Sequence, residues 1–123
     1  MRRLGELEAA IMQRLWAWGE PCLVREVLTD LEKDRDIAYT TVMTVLDNLY
    51  QKGLVDRDRR GRAFEYWPLV SRDDYHAELM ADVLSDSPDR TATFLRFVEK
   101  IGPREADRMR RVLDAAQRRK HDR

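Results

Sequence analysis

Little in this 123-residue chain invites covalent chemistry. It has one cysteine, Cys22, which excludes an internal disulfide framework and a cysteine-rich metal site. Close to a helix start, Cys22 reads as a small, partly buried residue rather than a redox centre. There are two histidines, His76 in an amphipathic stretch and His121 in a charged tail. Neither has a cysteine or carboxylate pair at the spacing of a closed metal site. A glycine-rich phosphate loop and a nucleophile elbow are missing as well. Glu78 and Asp82, four residues apart, read as a solvated helix face. No catalytic residue, metal or cofactor is expected. Long apolar runs are also lacking: no stretch approaches the roughly 18 residues a membrane span needs. Glu6 and Glu8 interrupt the N-terminus where a signal peptide has its apolar core. The expected protein is cytoplasmic and does not insert into a membrane.

An excess of one charge is missing too. Lys and Arg number 23 against 23 Asp and Glu, so the total does not choose a partner. The distribution says more. Between Arg57 and Arg62 stand four arginines against Asp58, and between Arg104 and Arg123 eight basic residues against four acidic ones. Hydrophobic residues, at 43%, suffice for a packed core, while 37% charged residues fit long helices with solvated faces. Such a length allows one domain, or a small domain carrying an extended oligomerisation arm.

Hydrophobic spacing orders the chain. Leu4, Leu7, Ile11, Leu15 and Trp18 keep the three- and four-residue steps of one helix face, which Gly19 and Pro21 end. A second helix is expected over about 24–33, with Val24, Val27, Leu28 and Leu31 as its buried stripe. A third is expected over 39–51, with Val42, Val45, Leu46 and Leu49 inward. At 100° per residue its opposite face centres on Thr40, Thr44, Asp47 and Gln51, with Thr41, Met43 and Asn48 at the edges. Lys52-Gly53 closes it. Leu54–Arg57 and Ala63–Trp67 read as strands, joined by a turn over Arg59–Arg62 in which Gly61 takes the positive φ. This order describes a winged helix-turn-helix over residues 1–70.

After Leu69 only helices are expected. Ser71 and Asp74 make an S-x-x-D cap, followed by a stripe of Tyr75, Leu79, Met80 and Val83. Pro88 suits a first helical turn, and Phe94, Leu95, Phe97, Val98 and Ile101 form the next apolar face. Gly102-Pro103 breaks the chain. Ala106, Met109, Val112, Leu113 and Ala116 stripe a last helix that frays into Arg118–Arg123. Three such helices over residues 71–123 cannot cover one another in so small a monomer. They call for a second copy. Leu79, Val83, Phe94, Phe97, Val98, Ile101, Met109, Val112 and Leu113 are the expected dimer interface. The fold class is therefore mainly α with a small β-hairpin, a winged helix followed by a three-helix dimerisation region.

The third helix suits the major groove. Thr40, Thr41, Met43 and Thr44 combine hydroxyls that can meet base edges with a thioether that can meet a thymine methyl. The wing arginines Arg57, Arg59, Arg60 and Arg62 suit phosphate, since a guanidinium grips it bidentately. Arg2 and Arg3 are further candidates for backbone contact. Asp47 is out of place on such a face, because phosphates repel a carboxylate; it reads a cytosine amino group or stands outside the footprint.

The stretches LGELEAAIMQRLW, AYTTVMTVLDNLYQKGLV, FEYWP and FVEK together resemble the penicillinase-repressor family of bacterial regulators (BlaI/MecI/CopY type) over essentially the whole chain. The resemblance implies a homodimeric transcriptional repressor that binds a dyad-symmetric, double-stranded operator and controls β-lactam resistance or related stress genes. By position, Thr40, Thr41, Met43 and Thr44 would read bases and the wing arginines would clamp the backbone. It also implies inactivation by proteolysis before the phenylalanine of FVEK, set off by a membrane sensor-protease. Here that bond is Arg96–Phe97, and Arg96 stands where the classical sites carry Asn. The copper-responsive branch carries C-terminal cysteine pairs that this chain lacks. An expectation of another class is a helical adaptor whose winged helix no longer binds DNA.

Overall fold

A computed structural model describes residues 4–122. Arg2, Arg3 and Arg123 lie outside the described residues. The elements run α1 (Glu6–Trp18), β1 (Cys22–Leu23), α2 (Val24–Leu31), α3 (Tyr39–Gln51), β2 (Val55–Arg60), β3 (Ala63–Pro68), α4 (Arg72–Asp86) and α5 (Arg90–His121). The chain divides after Leu79 into two compact units. The first is a winged helix: three helices and a three-stranded antiparallel sheet in the order β1-β3-β2.

Its core follows the stripes. Val24, Val27, Leu28 and Leu31 of α2 are all buried, as are Val42, Leu46 and Leu49 of α3, while Val45 is half-buried. Ile11, Met12 and Leu15 of α1 meet them, and Leu54, Val55 and Tyr66 close the sheet side. The α1 stripe differs from expectation at both edges. Met12 is buried although it lies off the stripe, because α1 packs on both α3 and β3 and needs a broader face. Trp18, the last residue of α1 before the left-handed Gly19, is 38% exposed.

Termini are closed locally, as helices require. The Glu8 carboxylate accepts the Gly5 N–H at 3.2 Å, and Glu26 accepts that of Leu23 at 2.8 Å. The Ser71 hydroxyl accepts the Asp74 N–H at 3.0 Å, the cap its spacing foretold. Tyr75, on the first turn of α4, is buried; its hydroxyl accepts the Leu4 N–H at 3.1 Å and its ring lies 5.7 Å from that of Trp16. The Trp16 indole N–H donates to the Val70 carbonyl at 2.9 Å. These contacts hold the start of α4 in the first unit, so the division falls inside that helix instead of at residue 70.

The hairpin is longer than its pattern suggested. β2 and β3 pair from Val55↔Pro68 to Arg60↔Ala63, which leaves only Gly61-Arg62 as the turn, with Gly61 at φ 64°. Arg59 and Arg60, expected in the turn, are strand residues. A two-stranded ribbon has room for long charged side chains on both faces, so an arginine run does not end it. Cys22 is also a strand residue. It pairs with Tyr66 in β1, a two-residue strand too short to show a period.

In the second unit, Pro88 precedes the helix instead of opening it. Asp89 is the cap, accepting the Ala92 N–H at 3.0 Å, a bond that proline in the same place has no side chain to make. The expected break is present at Gly102, where φ is 80° and ψ 165°, and it divides α5 into two arms. The second arm does not fray at Arg118 but stays helical to His121, with Asp122 capping it. No residue of α5 is buried.

Candidate nucleic-acid interface

The candidate residues lie on α3 and on the hairpin that adjoins it. The inward stripe of α3 turns Thr40, Thr41, Met43 and Thr44 outward; all four are exposed, Met43 by 44%. The α3 cap, Ala38, makes no side-chain bond to the helix. Among the described residues, none of the three threonine hydroxyls has a hydrogen-bond partner. They are therefore not helix caps, and their donors and acceptors are available to a ligand.

The wing sorts its arginines by strand alternation. Arg57 faces α3. Its guanidinium bonds Asp47 at 3.0 Å and lies over the Tyr50 ring at 4.1 Å and the Phe64 ring at 4.5 Å from their centroids. Arg59, two residues on, shares that side and stands 5.2 Å from the Phe64 centroid. Arg60 points the other way and meets Glu65 at 3.5 Å across the ribbon, an exposed pair of little strength. Arg62 projects from the turn. Among the described residues, Arg59 and Arg62 have no carboxylate partner. The cluster is thus two unpaired cations, one loosely paired cation and one engaged cation.

Asp47 is not free, because Arg57 balances its charge. Two residues that pattern does not single out meet at the start of α3. Arg25 of α2 sets its guanidinium 5.9 Å from the ring centroid of Tyr39, the first residue of α3. A signal for Arg25 exists in its phase, since it falls off the buried stripe of α2. Cys22 is 3% exposed, and burial, then Glu26, Glu20 and Glu65, push its thiol up to about 11. Such a thiol stays protonated at neutral pH and is a poor nucleophile. Among the described residues no group of His, Cys, Asp and Glu could hold a metal, and no helix is long and apolar enough to cross a membrane.

The expected interface residues of the second unit are uncovered. Val83, Phe94, Phe97, Val112 and Leu113 are exposed, Val83 and Val112 by 62% each, and Val98, Ile101 and Met109 are half-buried, as is Leu79, the last residue of the first unit. The Arg96–Phe97 bond lies in the first arm of α5, with Arg96 paired to Glu99 at 3.5 Å and the Phe94 and Phe97 rings 6.3 Å apart.

Residues 4–115 match the family described as penicillinase repressor. The chain belongs to that family. The chain is 48% identical over 116 residues to the transcriptional regulator BlaI of Mycobacterium tuberculosis, covering 92% of this chain and 84% of the relative. The solution structure of the DNA-binding domain of the repressor BlaI superposes with a TM-score of 0.51 at 26% identity, covering 61% of this chain and 94% of that domain. The monomeric form of Bacillus licheniformis BlaI, solved in complex with the blaP half-operator, gives 0.50 at 27% identity over 60% of this chain and 89% of that one. The winged-helix fold and the class, a transcriptional repressor, follow from this membership.

Proposed function

We propose that this family member binds a dyad-symmetric operator as a homodimer and represses the genes beside it, β-lactam resistance genes or related stress genes. Thr40, Thr41, Met43 and Thr44 read base edges in the major groove. Arg59, Arg60 and Arg62 grip the backbone from the wing, with Arg57 at the wing's base. The observation that carries this reading is the pairing of unpartnered threonine hydroxyls on α3 with unpaired arginines on the adjoining wing. The half-operator complex of the Bacillus licheniformis relative supports it. The second copy covers the apolar faces of α4 and α5, where burying each large side chain contributes about 1.5–3 kcal/mol. Release by proteolysis at Arg96–Phe97, through a membrane sensor-protease, requires the first arm of α5 to unwind, because a protease takes an extended strand.

Mobility shift on a DNA fragment from upstream of the chain's own coding sequence, with salt varied, tests the reading. Saturable retardation at physiological salt is expected; its absence favours an adaptor. Thr44→Ala should cost discrimination between sequences, about 1–3 kcal/mol for a lost base contact. Arg62→Ala should weaken all DNA alike and reduce the log–log salt slope by roughly 0.9. Equal losses of discrimination from both variants would contradict this division of labour.

A further inference from the structure

The recognition helix carries a carboxylate on the side that meets DNA, and a free carboxylate there would repel phosphate. Asp47 is not free. Arg57 of β2 bonds it at 3.0 Å. The same guanidinium lies between two rings, Tyr50 of α3 at 4.1 Å and Phe64 of β3 at 4.5 Å. One planar cation therefore joins α3, β2 and β3. Its side chain is only 23% exposed, whereas that of Arg60 is 69% exposed. A guanidinium held on two ring faces, a carboxylate and the Tyr66 side chain opposite it in the hairpin has few orientations left, which suits a fixed joint more than a phosphate contact. Arg59, on the same side of the strand, rests against the far part of that joint at Phe64.

We propose that Asp47 and Arg57 form a clamp that fixes the wing against the recognition helix, so that Arg57 positions the phosphate-binding arginines without contacting phosphate itself. This rests on the DNA-binding reading above. The clamp turns the carboxylate that looked unfavourable for binding into a requirement for it. Removing Asp47 cuts the charged tie between wing and recognition helix and leaves Arg57 held by Tyr50, Phe64 and Tyr66 alone; the entropy of re-ordering the loosened wing on DNA is then lost from affinity.

The test is a double-mutant cycle on the full chain, with the upstream DNA fragment as probe: Asp47→Ala, Arg57→Ala and the pair. The clamp predicts that each single variant binds roughly tenfold more weakly, and that the pair is no weaker than the worse single variant. The salt slope stays at the unmodified value throughout. A phosphate-contacting Arg57 predicts otherwise. Asp47→Ala would then bind as tightly or more tightly, and Arg57→Ala would lose about 0.9 of slope; either result overturns the clamp. Should Arg57→Ala fail to fold, Arg57→Lys replaces it. Lysine keeps the charge but not the planar stack, so the clamp predicts weakening and a phosphate contact predicts near-normal binding. If the unmodified chain retards no DNA, the function proposal fails separately. The clamp is then judged by hydrogen exchange of the β2–β3 amides, faster in both single variants if it holds and unchanged if it does not.

Discussion

The two units spend their apolar residues differently. In the winged helix, Ile11, Met12, Leu15, Val27, Leu31, Val42, Leu46, Leu49 and Val55 are completely buried. In α5, of comparable apolar patterning, nothing is buried, and Phe94, Leu95, Phe97, Val112 and Leu113 face outward. The first unit encloses its own core with three helices and a sheet. The second has two helical arms and the end of α4, too few surfaces to enclose anything. Periodicity reports that a face is apolar, and the number of layers available decides whether the same chain can cover it. One unit covers its own apolar residues, and the other leaves them exposed.

Leu46→Ala removes a fully buried side chain and should cost about 2–5 kcal/mol of stability, read by thermal unfolding. A loss under about 1 kcal/mol would mean that the first unit's core does not carry its fold. On the other side, Val112→Asp places a charge on the exposed face of the second arm. If a second copy covers that face, the dimer dissociation constant should rise by about a hundredfold, nearly 3 kcal/mol, in sedimentation across a concentration series. The unfolding of the first unit should barely move. An unchanged dissociation constant would place the dimer seam elsewhere.

A smaller effect sharpens the account of the first unit. Burial pushes the Glu8 carboxyl up, but the hydrogen bond from Lys52 at 2.6 Å, the Gly5 N–H and the charge of Lys52 together hold it below its ordinary 4.5. A carboxyl lowered by folding contributes stability above its unfolded pKa, and that stability is lost as pH falls through the folded value. Glu8→Gln should therefore cost up to about 1 kcal/mol at neutral pH and reduce the loss of stability on acidification. Equal acid sensitivity in both forms would remove the Lys52–Glu8 link between α1 and the end of α3 from the account.

Much of this was legible in the sequence where one residue acts alone or a period repeats. The α2 stripe, the bounds of α3, the Ser71 cap, the left-handed Gly61 and the break at Gly102 all depend on local backbone rules. What escaped depends on neighbours distant in sequence. β1 is two residues long and exists because β3 offers it a partner at Tyr66 and Glu65. Met12 is buried because two elements meet α1, and Trp18, at the end of the same helix, is left 38% exposed. The Asp47–Arg57 bond joins two charges ten residues apart across a turn. Composition alone leaves each of them an isolated charge. The wing's arginine count was legible, but not its division into engaged and unpaired members, which strand alternation and the placement of Phe64 decide.

The central claim is that a self-sufficient reader is paired by a tail that cannot cover itself. The most direct measurement compares a footprinted upstream DNA fragment with the same fragment cut to one half of its dyad, recording affinity and chains bound. The account predicts two chains on the full fragment and binding at least about a hundredfold weaker on the half. A single chain bound with equal affinity to both fragments would contradict it.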